Sequence, residues 1–290
     1  MVRYDVSCYG AMSVDVSGQL RAPLVPGTQA EATDYRLSPG GDATLVALTL
    51  AGLGLKVFLA GGPVCRDSLG RYFEVACGEA GVDIAPRVPG QTSITAVALE
   101  PSGARTSITF HEASPLATIP VPADRIASSR FLYADGCYGE NAAAAGAAAR
   151  EHGVPSLLNL FGPTLDFVGL FDVVVANEGI AGQIAGDPLA AAEIVRAKGA
   201  GLAIVTMGER GCICSNDGLL TVPAFPAEAV DTTGAGAAFA AGFIYARLQS
   251  FNVLDSLRIA SAAGAYKCAA RGSYRRFSEK ELFVFIGSRE

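Results

Sequence analysis

Asp231-Thr232-Thr233-Gly234-Ala235-Gly236-Ala237-Ala238-Phe239 carries more information than any other stretch of this chain. Two glycines flank an alanine, so the backbone can come close to an anion. The apolar, Ala-rich run from Ala238 to Leu248 that follows reads as a buried helix. Unpaired N–H groups at a helix start, with the positive end of the helix dipole, make a ready site for a phosphoryl group. Such a site stabilises charge on a phosphoryl group in transfer, provided that a base takes the proton of the acceptor hydroxyl. At Ala237, where that base is expected, stands a methyl group.

Upstream of this turn, short β-prone runs alternate with helical ones. Tyr4 to Gly10, Val57 to Ala60, Phe131 to Ala134, Ser156 to Leu160, Val173 to Ala176 and Ala203 to Met207 read as strands. Asp42 to Leu53, closed by Gly54, reads as a buried helix, as do Asp67 to Gly81 and Glu140 to Glu151. That rhythm implies parallel crossover units and a doubly wound sheet. It breaks twice, over about 14–37 and 92–110, where no long helical pattern occurs. Thr92 to Leu99 and Arg105 to Phe110 flank a turn at Glu100 to Ala104, the pattern of a hairpin. Both breaks are expected to supply strands of a small lid over the carboxyl edge of the main sheet, within a single domain spanning 1–290.

Composition narrows the function. Half of the 290 residues are hydrophobic and 17% are charged, so a large core is feasible. A net charge of −6 without a basic run argues against nucleic acid as a partner. No segment reaches the roughly 20 apolar residues of a membrane helix, and the charges within Met1 to Gly10 do not suit a signal peptide. Seven cysteines without framework spacing suggest a reducing compartment, hence the cytoplasm. Cys212 and Cys214 share a strand face, where core packing is expected, and two histidines, His111 and His152, make no zinc site.

The segment Asp231 to Phe239 resembles the signature of the ribokinase-like (PfkB-type) carbohydrate and nucleoside kinases, Asp-Thr-x-Gly-Ala-Gly-Asp-x-Phe, with Ala237 in place of the final Asp. The resemblance implies a three-layer α/β fold with a β-sheet lid that often serves for dimerisation, so a homodimer is expected. It also implies transfer of the γ-phosphate of ATP, with Mg2+, to a hydroxyl of a small sugar or sugar derivative. Gly234, Ala235 and Gly236 would hold the phosphate in transfer, and the Ala237 position would be that of the base. A nucleoside acceptor is the alternative; Tyr35 and Phe110 are the aromatic residues the lid region offers for stacking a base.

Asp15, after the first strand, stands where relatives hydrogen-bond sugar hydroxyls. Gly40-Gly41-Asp42-Ala43 resembles the family's Gly-Gly motif, whose backbone lies against the sugar; relatives often carry Asn where this chain has Asp42 or Leu45. Asp135, at another strand end, reads equally as a pocket residue or a turn cap. Arg105, Thr95 and Phe110 are candidates to close over the substrate. Arg271, Arg275 and Arg276 read as a solvated loop surface sooner than as a site for an anionic substituent.

On the nucleotide side, Thr206-Met207-Gly208-Glu209-Arg210-Gly211 resembles the family's Thr-x-Gly-x-x-Gly segment near the ATP phosphates. Asn177-Glu178 resembles the start of an Asn-x-x-Glu motif linked to magnesium and phosphate, with Ile180 where its last acid belongs. Ser261, in an Ala-rich helix, stands where relatives often place Asn beside adenine. Asp231 and Thr233, with the loop Ala269 to Ser273, match where some relatives hold a monovalent cation such as K+.

Three explanations are open for Ala237. An engineered Asp→Ala exchange would hold substrate and ATP without turnover, which the intact surroundings favour. A natural relative without catalytic power would bind or regulate. Alternatively Asp15, Asp42 or Asp135 has taken over as base.

Overall fold

Seven strands lie side by side and parallel, and all but the short edge strand over residues 82–84 are apolar and largely covered on both faces. The computed structural model describes residues 2–101, 105–111, 120–216 and 218–289. β1 (Tyr4–Gly10) pairs with β4 (Val57–Gly61) on one side and β8 (Ser129–Asp135) on the other. The sheet continues through β5 (Val82–Ile84) beyond β4, and through β9 (Ser156–Asn159), β10 (Val173–Asn177) and β11 (Leu202–Thr206) beyond β8. Two antiparallel strands, β12 (Cys212–Ser215) and β13 (Leu219–Val222), close that edge. Cys212 and Cys214 are buried free thiols, as the core reading requires.

Helices cover both faces. α1 (Asp42–Gly52), α2 (Ser68–Glu79), α7 (Ala235–Leu248), α8 (Val253–Cys268) and α9 (Glu279–Gly287) bury apolar residues in one cluster. α3 (Ala123–Ala127), α4 (Gly139–Glu151), α5 (Glu178–Ala185) and α6 (Pro188–Ala197) bury theirs in the other. The alanines of α7 and α8 have a steric cause: a Cβ at Gly242 would stand 2.8 Å from that of Ala263. Only small residues let these two helices approach so closely.

The chain runs from β1 outward to β4 and β5, then returns to the other side of β1 at β8. This reversal creates a crevice at the carboxyl ends of β1 and β8, the usual place for ligands in doubly wound sheets.

Both breaks in the rhythm form a second sheet, ordered β3-β2-β6-β7, from β2 (Ser13–Leu20), β3 (Ala32–Gly40), β6 (Ile94–Leu99) and β7 (Arg105–Phe110). The turn expected at Glu100 to Ala104 lies partly outside the described residues. Register fixes the faces, because paired residues share one. Ser38, Asp15, Thr95 and Thr109 form one cross-strand row, and Arg105 belongs to the same face. Leu37, Val16, Ala96 and Ile108 form a row on the opposite face, joined there by Phe110. Phe110, 58% exposed, therefore does not close over the same space as Asp15, Thr95 and Arg105. The physical reason is the two-residue period of the strand, which puts Arg105 and Phe110 on opposite faces.

Candidate active site

An acidic cup forms at the crevice. Asp15 is buried and accepts from the Ser13 hydroxyl at 2.9 Å and from Ser273. Half-buried Asp42, at the start of α1, accepts from Asn159 Nδ2 at 3.3 Å. Burial raises the pKa of both carboxyls, and the charge of Asp42 raises that of Asp15 further; the nearby Arg105 guanidinium acts in the opposite sense on each.

Asp135, 1% exposed, is the third acid. Its oxygens accept from Ala11 N–H at 2.7 Å, Cys137 N–H at 3.1 Å and Ala43 N–H. Burial, then repulsion from Asp42, pushes its pKa up to about 7 against those bonds. Of its two readings the geometry favours the cap: it ties the end of β1 to the start of α1.

Packing alone requires Gly40 and Gly41, whatever approach of a sugar to their bare backbone the sequence suggests. A Cβ on Gly40 would collide with the Asp15 carboxylate, and one on Gly41, at φ +89°, with the Ala11 carbonyl. The protein itself fills that space. These glycines press the start of α1 against β2 and the Ala11 backbone, which is what brings Asp42 beside Asp15.

The anion turn opens α7. Gly234 takes φ +78° at its N-cap, and a Cβ there would meet the Ser273 carbonyl oxygen and, at 3.3 Å, Leu45 Cδ1. The helix begins at Ala235, three residues before the expected Ala238, so Ala235, Gly236 and Ala237 form its first turn; the Ala235 N–H donates to the Thr232 carbonyl at 3.2 Å, and those of Gly236 and Ala237 have no carbonyl of a preceding helical turn to bond. Gly236 is exposed, with open space around it. Ala237 is 4% exposed and, like Leu45, belongs to the apolar cluster between α1 and α7. Ser273 touches both the turn and Asp15, joining the anion turn to the acidic cup.

Beyond α7 lies a cleft of about 570 Å³, lined among others by Thr206, Gly208, Gly211, Gly236, Ser261 and Gly264. That volume lies in the range of small-molecule sites. Thr206 and Asn177 stand in register at the ends of β11 and β10. Asn177 Oδ1 caps α5 by accepting from Ile180 N–H at 2.9 Å. Ser261 Oγ accepts from Phe225 N–H at 3.0 Å and faces Pro223 O at 3.4 Å, so its hydroxyl fixes the segment after β13.

Magnesium finds few donors in the protein. Glu178 is ion-paired with Arg210, and Ile180 is buried in the core. No group of three or more His, Cys, Asp or Glu suited to a metal occurs among the described residues. These residues alone do not make a magnesium site; such an ion would depend on phosphates and water for its other ligands.

Asp231 and Thr233 do meet the loop Ala269 to Ser273. Asp231 Oδ1 accepts from Thr233 N–H and Oδ2 from Gly272 N–H, each at 2.9 Å. Burial raises the Asp231 pKa, but the Thr233 hydrogen bonds and Lys267 outweigh it and leave the carboxyl below its usual value. Arg275 is committed elsewhere, stacked 3.7 Å over Tyr266 and bonded to its carbonyl at 2.8 Å.

The roles of three contributors escaped the sequence reading. Asn159 had a visible signal, a polar residue ending an apolar strand at the sheet edge. Lys267 had none, since it acts through the distant Asp231 carbonyl, and Ser273, read only as the end of a cation loop, gave no sign of its bond to Asp15.

An anion turn joined to an acidic cup at the crevice of a doubly wound sheet, under a small second sheet, defines the ribokinase-like class of α/β folds. The chain belongs to the pfkB family of carbohydrate kinases, whose family model matches residues 3–280. It is 25% identical to a ribokinase of Haemophilus influenzae over 94% of each chain. Identity to a nucleoside kinase of Methanothermobacter thermautotrophicus is 28%, covering 83% of this chain and 82% of the relative. Against a deoxyribokinase of Salmonella typhi it is 32% identical, but spans only 48% of that protein's length. Among solved structures, the Arabidopsis thaliana ribokinase complexed with ribose and ATP superimposes with a TM-score of 0.83 at 18% identity, over 99% of both chains. A ribokinase of Thermotoga maritima has the same TM-score at 20% identity, over 98% of this chain and all of the other.

Proposed function

We propose that this chain binds ATP in the cleft beside α7 and α8 and a small sugar or related alcohol in the acidic cup, as an ATP-dependent carbohydrate kinase with an impaired transfer step. The observation that carries this reading is the Ser273 bridge. It sets the open helix start at exposed Gly236 next to a cup whose carboxylates suit hydroxyl donors. A relative of this fold holds ribose and ATP together, which supports the same pairing of ligands here.

Gly234, Ala235 and Gly236 are assigned to the phosphate in transfer, and Thr206, Gly208 and Gly211 to the remaining phosphates. Asp15, Asp42 and Arg105 orient the acceptor. Glu178 is the carboxylate assigned to an accompanying Mg2+, once released from Arg210. Tyr35 and Phe110 both project from the outer face of the second sheet, which favours a sugar over a nucleoside whose base needs stacking.

Of the three explanations for Ala237, the surroundings favour a naturally remodelled transfer site over a single engineered exchange. Leu45 is apolar too and packs beside Gly234, and Ile180 is buried in the opposite cluster. A lone exchange at Ala237 would have left those positions polar. Asp135 is a poor substitute base despite its high pKa, because three backbone donors hold it. The test is Ala237→Asp, assayed with ATP and magnesium against a panel of small sugars. General-base assistance contributes about 10²–10⁴-fold, so turnover should rise within that range. An unchanged rate, with both ligands bound, rejects the role given to position 237.

The outer face of the second sheet exposes Tyr35, Leu37, Ile108 and Phe110, a contiguous apolar surface suited to a second copy of the chain. All seven cysteines are free thiols and no described helix is long and apolar enough to cross a membrane. A homodimer in the cytoplasm is the reading we favour.

A further inference from the structure

The monovalent cation that the family resemblance implies does not fit this chain. Its expected surroundings do assemble, since Gly272 and Thr233 both bond to Asp231. Yet a lysine stands among them. Lys267 leaves the last turn of α8 with 1% of its surface exposed. Its Nζ donates to the Asp231 main-chain oxygen at 2.7 Å and faces the Ala270 oxygen at 3.4 Å. The cavity that remains, lined by Asp15, Asp231, Thr233, Gly272 and Ser273 among others, is about 10 Å³. With the ammonium seated on them, the Asp231 and Ala270 oxygens are closed to a second cation, which like charge would repel.

We propose that the Lys267 ammonium is this protein's own monovalent cation, seated on main-chain oxygens that would otherwise take potassium and holding the approach to the anion turn without any added ion. An ammonium carries the charge of an alkali ion and replaces its water with carbonyl oxygens in the same way. The end of a helix favours a cation, and here that end is bound to the turn: Val230 and Asp231 both donate to the Cys268 carbonyl, at 2.8 and 3.1 Å. Lys267 thereby closes a clamp from the end of α8 to Asp231, three residues before Gly234. A tethered ion is always present, so the clamp does not vary with the salt around the protein.

The test does not require turnover, and so stands apart from the kinase reading. Thermal unfolding is followed in potassium chloride and in tetramethylammonium chloride at equal ionic strength, for the parent, Lys267→Ala and Lys267→Met. The parent should unfold at the same temperature in both salts. Lys267→Ala leaves a carbonyl-lined hole, so its midpoint should fall by about 5–10 °C in tetramethylammonium. It should regain at least half of that loss as potassium rises, saturably, as a bound ligand requires. Lys267→Met fills the hole with a neutral chain and should gain nothing from potassium. Should Lys267→Ala not fold in tetramethylammonium, its refolded yield in potassium against tetramethylammonium serves as the same readout. A saturable potassium effect on the parent, or equal behaviour of Lys267→Ala in the two salts, overturns the proposal. Failure of an ATP analogue to bind any of these proteins would count against the nucleotide cleft and leave this result standing.

Discussion

Replacing Gly236 by Ala should make the protein more stable and a worse binder of triphosphate. Gly236 is the second residue of α7, in ordinary helical conformation, and an added Cβ meets nothing within 4 Å. Gly-to-Ala exchange within a helix is worth about 0.5–1 kcal/mol, through lost backbone freedom in the unfolded chain. For a domain of this size that raises the unfolding midpoint by about 1–4 °C. The same open space is where the phosphate must come in to reach the helix N–H groups. A hydrogen bond to a charged partner contributes about 1.5–3 kcal/mol, so a methyl that blocks it should weaken binding about 10–100-fold. Differential scanning fluorimetry without ligand and calorimetric titration with a non-hydrolysable ATP analogue measure the two effects separately. Gly234→Ala provides the contrast: at φ +78° and against the Ser273 carbonyl it should lose both stability and binding. If Gly236→Ala gains stability but binds the analogue as the parent does, the turn is not a phosphate site and the reasoning fails.

Asp135 should make stability fall with rising pH. Its folded pKa of about 7 lies above the unfolded value near 4, so between them the folded state holds a proton that the unfolded state releases. The stabilising difference is present in full below about pH 4, is lost through that window and is gone above pH 7, a change of up to about 4 kcal/mol. Asp135→Asn should flatten the decline in chemical denaturation series at pH 5 and pH 8, and an equal slope in both proteins would refute the assignment. For the outer face of the second sheet, Ile108→Asp should convert a dimer into a monomer in analytical ultracentrifugation while leaving ATP-analogue affinity unchanged; a parent that sediments as a monomer rules the dimer out.

How much of this was legible depended on whether a signal was local. The anion turn was, because Gly-x-Gly before an Ala-rich run is a backbone statement in itself. Strand–helix alternation was too, through Val-rich runs such as Val173 to Ala176 and glycine stops such as Gly54. By contrast β5 and β13 are three and four residues long, and pairing alone defines them. Alternation in the second sheet showed that residues point two ways, but only the register said which way Phe110 goes. Asp135 stayed open between pocket acid and cap because its partners, the Ala11 and Ala43 amides, become neighbours only on folding. Lys267 was the least visible: a lysine at a helix end is normally a solvated cation, and its burial depends on a carbonyl 36 residues earlier.

Ala237 and Leu45 also bear on each other, and the single exchange proposed above tests only half of the idea. If the chain were an otherwise intact kinase with one altered residue, Ala237→Asp alone should bring turnover to the roughly 1–100 s⁻¹ of kinases. Leu45 argues otherwise. Its methyl groups lie beside Gly234 and it shares an apolar cluster with position 237. A new carboxylate there is desolvated, and the Leu45 side chain has no hydrogen bond to donate to it. The base would work below full strength, so the single exchange should give the lower end of the roughly 10²–10⁴-fold rise. Leu45→Asn alone restores no base and should leave turnover unchanged. The double variant should exceed the product of the single effects by at least about tenfold, because residues that act as a unit are not additive. Strict multiplicativity in kcat across the four proteins would show that Leu45 has no part in the transfer site, and would return the engineered exchange to first place.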